Sequence, residues 1–101
     1  MTKKYTTFSD FYPYYLSQHT NLICRRLHFA GSCFILLLIL YIAVFGGLYL
    51  LCFIPILGYG FAWIGHFIFE KNKPATFTYP IYSLMGDWVM FKDIIIGKIQ
   101  L

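Results

Sequence analysis

The chain has 101 residues, of which 59% are hydrophobic, 22% aromatic and 12% charged, with a net charge of +4. A soluble domain this small buries only about 60–65% of its unfolded surface. So much apolar surface therefore excludes a soluble monomer and a disordered tail, and the odd set Cys24, Cys33 and Cys52, with no CxxC, excludes a disulfide scaffold. The class that remains is a small all-α integral membrane bundle, one membrane domain over 1–101. The cysteines read as reduced, buried thiols.

Lys3 and Lys4 are followed by polar and aromatic residues, which is not the pattern of a secretory signal. Asp10 can cap a helix over 11–22, because Pro13 then falls in a first turn that needs no N–H partner. Phe8, Phe11, Tyr12, Tyr14 and Tyr15 give this helix an aromatic surface suited to the headgroup region. From Leu27 to Phe45 no formal charge occurs if His28 is neutral, and as a helix the segment spans about 28 Å, close to the hydrocarbon thickness. Gly46-Gly47 predicts a tight turn. Leu48–Phe69 gives a second span, with a kink at Pro55 and a strip of Gly58, Ala62 and Gly65 where another helix can approach. Gly60 belongs to the same glycine-rich stretch.

The two spans make a hairpin. Arg25 and Arg26 lie at its start and Lys71 and Lys73 at its end, while the turn is uncharged. Positive charge then places both ends of the hairpin in the cytoplasm, for a bacterial inner membrane or an endoplasmic reticulum. Paired charges beside apolar runs do not read as a nucleic-acid surface. Residues 71–80 read as a loop. Residues 81–99 read as a half-polar helix, partly inserted rather than purely interfacial, with Ser83, Gly86, Asp87, Met90 and Asp93 on one broad side.

Ionisable residues near membrane depth are costly and are functional candidates. His19, His28 and His66 all lie at the cytoplasmic ends of apolar segments. His66 and Glu70 are one helical turn apart. His28 shares a face with Asn21, Arg25 and Ser32. His19 and His28 are nine residues apart and converge only if the chain bends near Thr20-Asn21. Neutral imidazoles with a carboxylate can hold iron or zinc with open positions. Three histidines without HxxxH or HxxHH imply a mononuclear centre rather than a diiron box. Against this stands the plain reading of each histidine as a hydrogen-bonded interfacial residue. Arg25 and Arg26 are membrane anchors, or hold a lipid carboxylate or phosphate. Tyr59, Trp63 and Phe67 read as packing.

The segment GYGFAWIGHFIFEKNKPATFTYPIYSLMGDW, with FYPYYLSQHTN and RRLHFAGS upstream, resembles the fungal-type 2-hydroxy fatty acid dioxygenase family, the alpha-oxidation enzymes of phytosphingosine breakdown. The resemblance implies an iron(II) enzyme that takes a long-chain 2-hydroxy fatty acid and O₂ to an acid one carbon shorter. It places the family's functional histidines on His19, His28 and His66. Glu70 and Asp87 fall in the matching motifs as catalytic candidates, as do Asn72 and Pro74 without a role. Arg25 and Arg26 are candidates to steer the substrate carboxylate. Fe(2+) is the cofactor implied, ahead of zinc, with membrane lipid as surroundings and a homo-oligomer as a plausible assembly. The rival classes are a non-enzymatic lipid-binding or scaffold protein with structural histidines, and a haem or zinc protein.

Overall fold

The computed structural model describes residues 4–101, so Lys3 lies outside it. Four helices account for most of the described residues, and no strand occurs among them.

The first helix, α1, covers Phe8–Ser17. It begins and ends earlier than the sequence pattern suggests. Thr7, in extended backbone, is the cap, and its hydroxyl accepts from the Asp10 N–H at 3.2 Å. Asp10 is therefore not the cap. It lies in the first turn, where the helix dipole favours a carboxylate. Pro13 falls inside the helix and removes the bond to the carbonyl of exposed Ser9. The chain then bends through 18–21 before the next helix, which gives the change of direction that the histidine spacing demands.

The first span is α2, Leu22–Phe45. Asn21 caps it, with Oδ1 accepting from the N–H groups of Ile23 (2.9 Å) and Cys24 (3.1 Å). Its buried residues are Cys24, His28, Gly31, Ser32 and Ile35, one face at helical spacing. Most of its remaining apolar surface is exposed, reaching 74% at Phe45. Gly46 and Gly47, at φ 81° and 96°, make the turn, which any other residue would enter at a cost.

The second span, Leu48–Glu70, is one run of three geometries. A 3₁₀ segment, Leu48–Cys52, leads into α3, Phe53–Ile64, and a π-helical turn, Gly65–Glu70, ends it. Pro55 lies just inside α3, where 3₁₀ geometry has given way to α, so the span departs from regularity at its two ends rather than by a kink in its middle. Both spans are long and apolar enough to cross a membrane.

The spans touch where side chains are smallest. A Cβ on Gly31 would stand 3.1 Å from the Leu57 carbonyl, and one on Gly65 would stand 3.0–3.3 Å from Cys24. Gly58 meets only the tip of Ile35, and Gly60 meets nothing. Of the expected strip, Gly65 makes a close contact, against Cys24, and Gly31 of the first span makes a second one further along, against Leu57 and Phe61.

Lys71, at φ 60°, turns the chain out of the second span. A short 3₁₀ turn, Ala75–Phe77, leads to α4, Pro80–Ile95. This helix ends four residues sooner than expected, where Gly97 at φ 84° reverses the chain. Its buried residues are Ser83, Gly86, Met90 and Asp93, the side expected from the wheel. The core joins Phe11 and Tyr15 of α1 to Met90 of α4 and to Ala75 and Tyr79 before it. Gly86 makes that contact: a Cβ there would lie 2.9 Å from the Tyr15 ring. Phe29 of α2 stacks on Phe91 at 5.0 Å, which seats α4 on the first span as well.

Candidate metal centre

Three segments each deliver one histidine to the same point. His19 follows α1 in the bend, His28 lies in the second turn of α2, and His66 lies in the π-helical turn. All three are buried, with exposures of 2%, 7% and 2%. Their ring centroids are 4.4, 4.6 and 4.9 Å apart and their planes stand at 75–89° to one another. Nitrogen atoms of the three lie within 4.8 Å of one another.

Each imidazole has its Nδ1 facing an oxygen that can only accept. His19 Nδ1–H donates to the Tyr15 carbonyl at 2.6 Å, His28 Nδ1–H to the Cys24 carbonyl at 2.9 Å, and His66 Nδ1–H to Asn72 Oδ1 at 2.7 Å. The Asn72 assignment follows from its Nδ2, which donates to the backbone and side-chain oxygens of Gln18, both at 3.1 Å. With Nδ1 protonated, a neutral imidazole carries its lone pair on Nε2. Two such lone pairs, on His19 and His28, then face each other at 3.1 Å. That contact is repulsive unless a cation or proton lies between them. Burial and the neighbouring His28 hold the His19 proton affinity well below the ordinary histidine value, which favours the neutral ligand form over a shared proton. Nitrogens bound to one ion at about 2.1 Å lie about 3.0–3.4 Å apart, a spacing that the His19–His28 pair already has. The donor set thus fits a metal that takes imidazole.

Asn72 grips His66 twice, since its own N–H also donates to the His66 carbonyl at 3.0 Å. Glu70, expected one turn along from His66, is directed to the bend instead. Its Oε1 accepts from the Asn21 N–H at 2.7 Å and its Oε2 from the Thr20 hydroxyl at 2.9 Å. It holds the segment that carries His19. Arg25 acts on the same segment: Nε donates to the His19 carbonyl at 3.2 Å and Nη1 to the Gln100 carbonyl at 2.5 Å. Arg26 reaches the Leu101 backbone oxygen at 3.4 Å.

Asp87 of α4 lies on the other flank and accepts a hydrogen bond from the Tyr15 hydroxyl. The Tyr15 ring stacks on His19 with centroids 4.1 Å apart. Burial raises Asp87 to about 6, with the Tyr15 hydroxyl pulling the other way. A cavity of about 190 Å³ runs between the spans and α4, with His28 and Asp87 among polar residues and Ile35, Ile54, Leu84 and Trp88 among apolar ones. A smaller space of about 10 Å³ adjoins all three histidines and shares His28, Tyr59, Ala62 and Asp87 with the larger cavity. An apolar groove therefore leads to the histidine cluster.

Sequence reasoning named the three histidines and Asp87 but gave Asn72 no role, and it read Trp63 only as packing. The signal for Asn72 is faint. Its reach back to His66 depends on the left-handed backbone at Lys71, which no spacing rule anticipates.

Residues 5–99 match the family described as 2-hydroxy-palmitic acid dioxygenase Mpo1-like, and the chain belongs to that family. No curated protein and no solved structure matches it.

Proposed function

Proceeding from this membership, we propose that the chain is an integral membrane, iron(II)-dependent dioxygenase that shortens long-chain 2-hydroxy fatty acids by one carbon. The observation that carries the reading is the set of three neutral imidazoles whose Nδ1 atoms are all spoken for, which aims three Nε2 lone pairs at one buried point. Iron is preferred to zinc because the reaction needs electrons to pass to dioxygen, and zinc has no redox chemistry. The balance closes with one O₂ per acid. The C1–C2 bond breaks, C2 becomes the new carboxyl, C1 leaves as CO₂, and the remaining oxygen leaves as water. The four electrons lost by carbon are those that O₂ accepts.

Iron bound to His19, His28 and His66 would supply an open coordination face for the acid's head-group oxygens and for O₂. The chain's own residues do the rest. The groove takes the acyl tail along its aliphatic and aromatic wall. Asp87, held by the Tyr15 hydroxyl, accepts the proton of the 2-hydroxyl. Tyr15, Cys24 and Asn72 keep each imidazole in the ligand tautomer. Glu70 and Arg25 hold the bend that brings His19 to the other two. Arg25, Arg26, Lys71 and Lys73 gather at the same end of the hairpin, and this positive charge supports a cytoplasmic interface for that end and the histidine cluster.

The test is elemental analysis beside turnover. Detergent-purified wild type should carry iron and consume 2-hydroxyhexadecanoate with O₂ to give pentadecanoate. His66→Ala should lose both. A His66→Ala protein with full iron and full turnover would refute the assignment.

A further inference from the structure

The small space beside the histidines is lined by Trp63 and Ser83, whose Nε1–H and hydroxyl have no partner among the described residues. Ser83 is only 3% exposed. A helical serine ordinarily satisfies its hydroxyl on a backbone carbonyl of the preceding turn. Here the Tyr79 carbonyl takes the Ser83 N–H at 2.8 Å, and the hydroxyl forms no such bond. The indole can only donate. Its ring is fixed among Tyr59, Phe67 and Phe77, at 5.5, 6.4 and 5.5 Å, so it does not swing away to find water. Buried donors without acceptors are costly, and two of them on one small space ask for an acceptor that arrives from outside.

The charged candidates for a carboxylate are engaged elsewhere. Arg25 is bonded to the carbonyls of His19 and Gln100, and Arg26 to Leu101. Asp87 lines the same space and would repel a carboxylate, but its oxygens suit a hydroxyl donor. A 2-hydroxy acid offers both groups on adjacent carbons. The space itself has room for about one water-sized atom, such as a single carboxylate oxygen, while the tail continues into the larger groove.

We propose that Trp63 Nε1–H and Ser83 Oγ–H bind one oxygen of the carboxylate of the 2-hydroxy acid, with the 2-hydroxyl proton turned to Asp87. This rests on the functional reading above and names the groups that select its substrate head. A neutral pair of donors in a buried site can hold a carboxylate because each bond is charge-assisted and no water competes. The arrangement disfavours a plain fatty acid, which offers Asp87 no donor beyond the Tyr15 hydroxyl, and a 1,2-diol, which gives the two donors no charged acceptor.

The experiment is isothermal titration of the full chain, iron-loaded in detergent, with 2-hydroxyhexadecanoate and with hexadecane-1,2-diol. Wild type should prefer the acid. Ser83→Ala and Trp63→Phe should each weaken the acid about tenfold, the scale of one hydrogen bond to a charged group, weaken the diol less, and leave the bound iron unchanged. Ser83→Ala removes a single oxygen, so it serves if the indole variant does not fold. Equal weakening of both ligands, loss of iron, or unchanged acid binding would each overturn the proposal, and would show that the two donors serve a structural water or the metal site. If wild type neither binds nor consumes the acid, the dioxygenase reading itself falls, and this one with it.

Discussion

Asn72 carries more of the site than its chemistry suggests. One side chain sets the His66 tautomer, one backbone N–H caps the π-helical turn, and one amide group ties both to Gln18 beside His19. Asn72→Ala should therefore lower iron affinity by about 10–100-fold, as loss of a partner that orients a ligand does. Glu70→Gln keeps an acceptor for the bend and should cost less; competitive chelator titration of the two variants ranks them. The histidines were legible in the sequence because ionisable residues are costly in so apolar a chain, although each alone also had a plain reading as an interfacial residue. Asn72 was not, because a polar residue in a polar loop has many. Asp87 gives a second test at this scale. Burial raises its pKa to about 6 from an unfolded value near 3.8, so the native state binds the extra proton between those limits. Stability then falls as pH rises from about 4 to 6 and stays lower above. Asp87→Asn keeps an oxygen for the Tyr15 hydroxyl and loses the charge. In detergent it should melt above wild type at pH 7, with the gap closing near pH 4.

The elements were read well where periodicity governs and less well at their ends. The apolar stretches around Leu27–Phe45 and Leu48–Phe69 declare themselves by length, and the Gly46-Gly47 turn by composition. The start of α1 was misplaced because Asp10 and Thr7 are both competent caps, and only the fold says which residue has extended backbone. The close approach of the spans was half legible: Gly65 stands out among small residues, whereas Gly31, the other tight contact, lies in an ordinary apolar helix. Gly65→Ala should force Cys24 away and destabilise the hairpin by about 1–3 kcal/mol, as overpacking does. Gly60→Ala, with nothing near it, should be neutral or stabilising by up to about 1 kcal/mol, the helix-propensity gain. Thermal melting of the pair in one detergent checks the contrast.

At the scale of the whole molecule, the polar chemistry gathers at one end and the bare apolar surface at the other, where Leu48 and Tyr49 are more than 70% exposed. With the native cysteines replaced, Lys4→Cys and Lys73→Cys should react with an impermeant thiol reagent from the cytoplasmic side, and Tyr49→Cys should not. Labelling of positions 4 and 73 from opposite sides would reject the hairpin topology. The meeting of α1, α2 and the π-helical turn at the three histidines has one more consequence, and it belongs to chain statistics. An ion shared by positions 19, 28 and 66 is a three-way cross-link, and like a disulfide it acts by removing conformations from the unfolded chain. Closing the segment between 28 and 66 gains little, because the glycine turn and the packed spans already close it. Most of the gain falls on α1, whose aromatic layer is otherwise joined to the hairpin through α4 and a bend of a few residues. Emptying such a site should therefore loosen that N-terminal layer first, so that an ion bound there would also decide whether the first quarter of the chain stays docked.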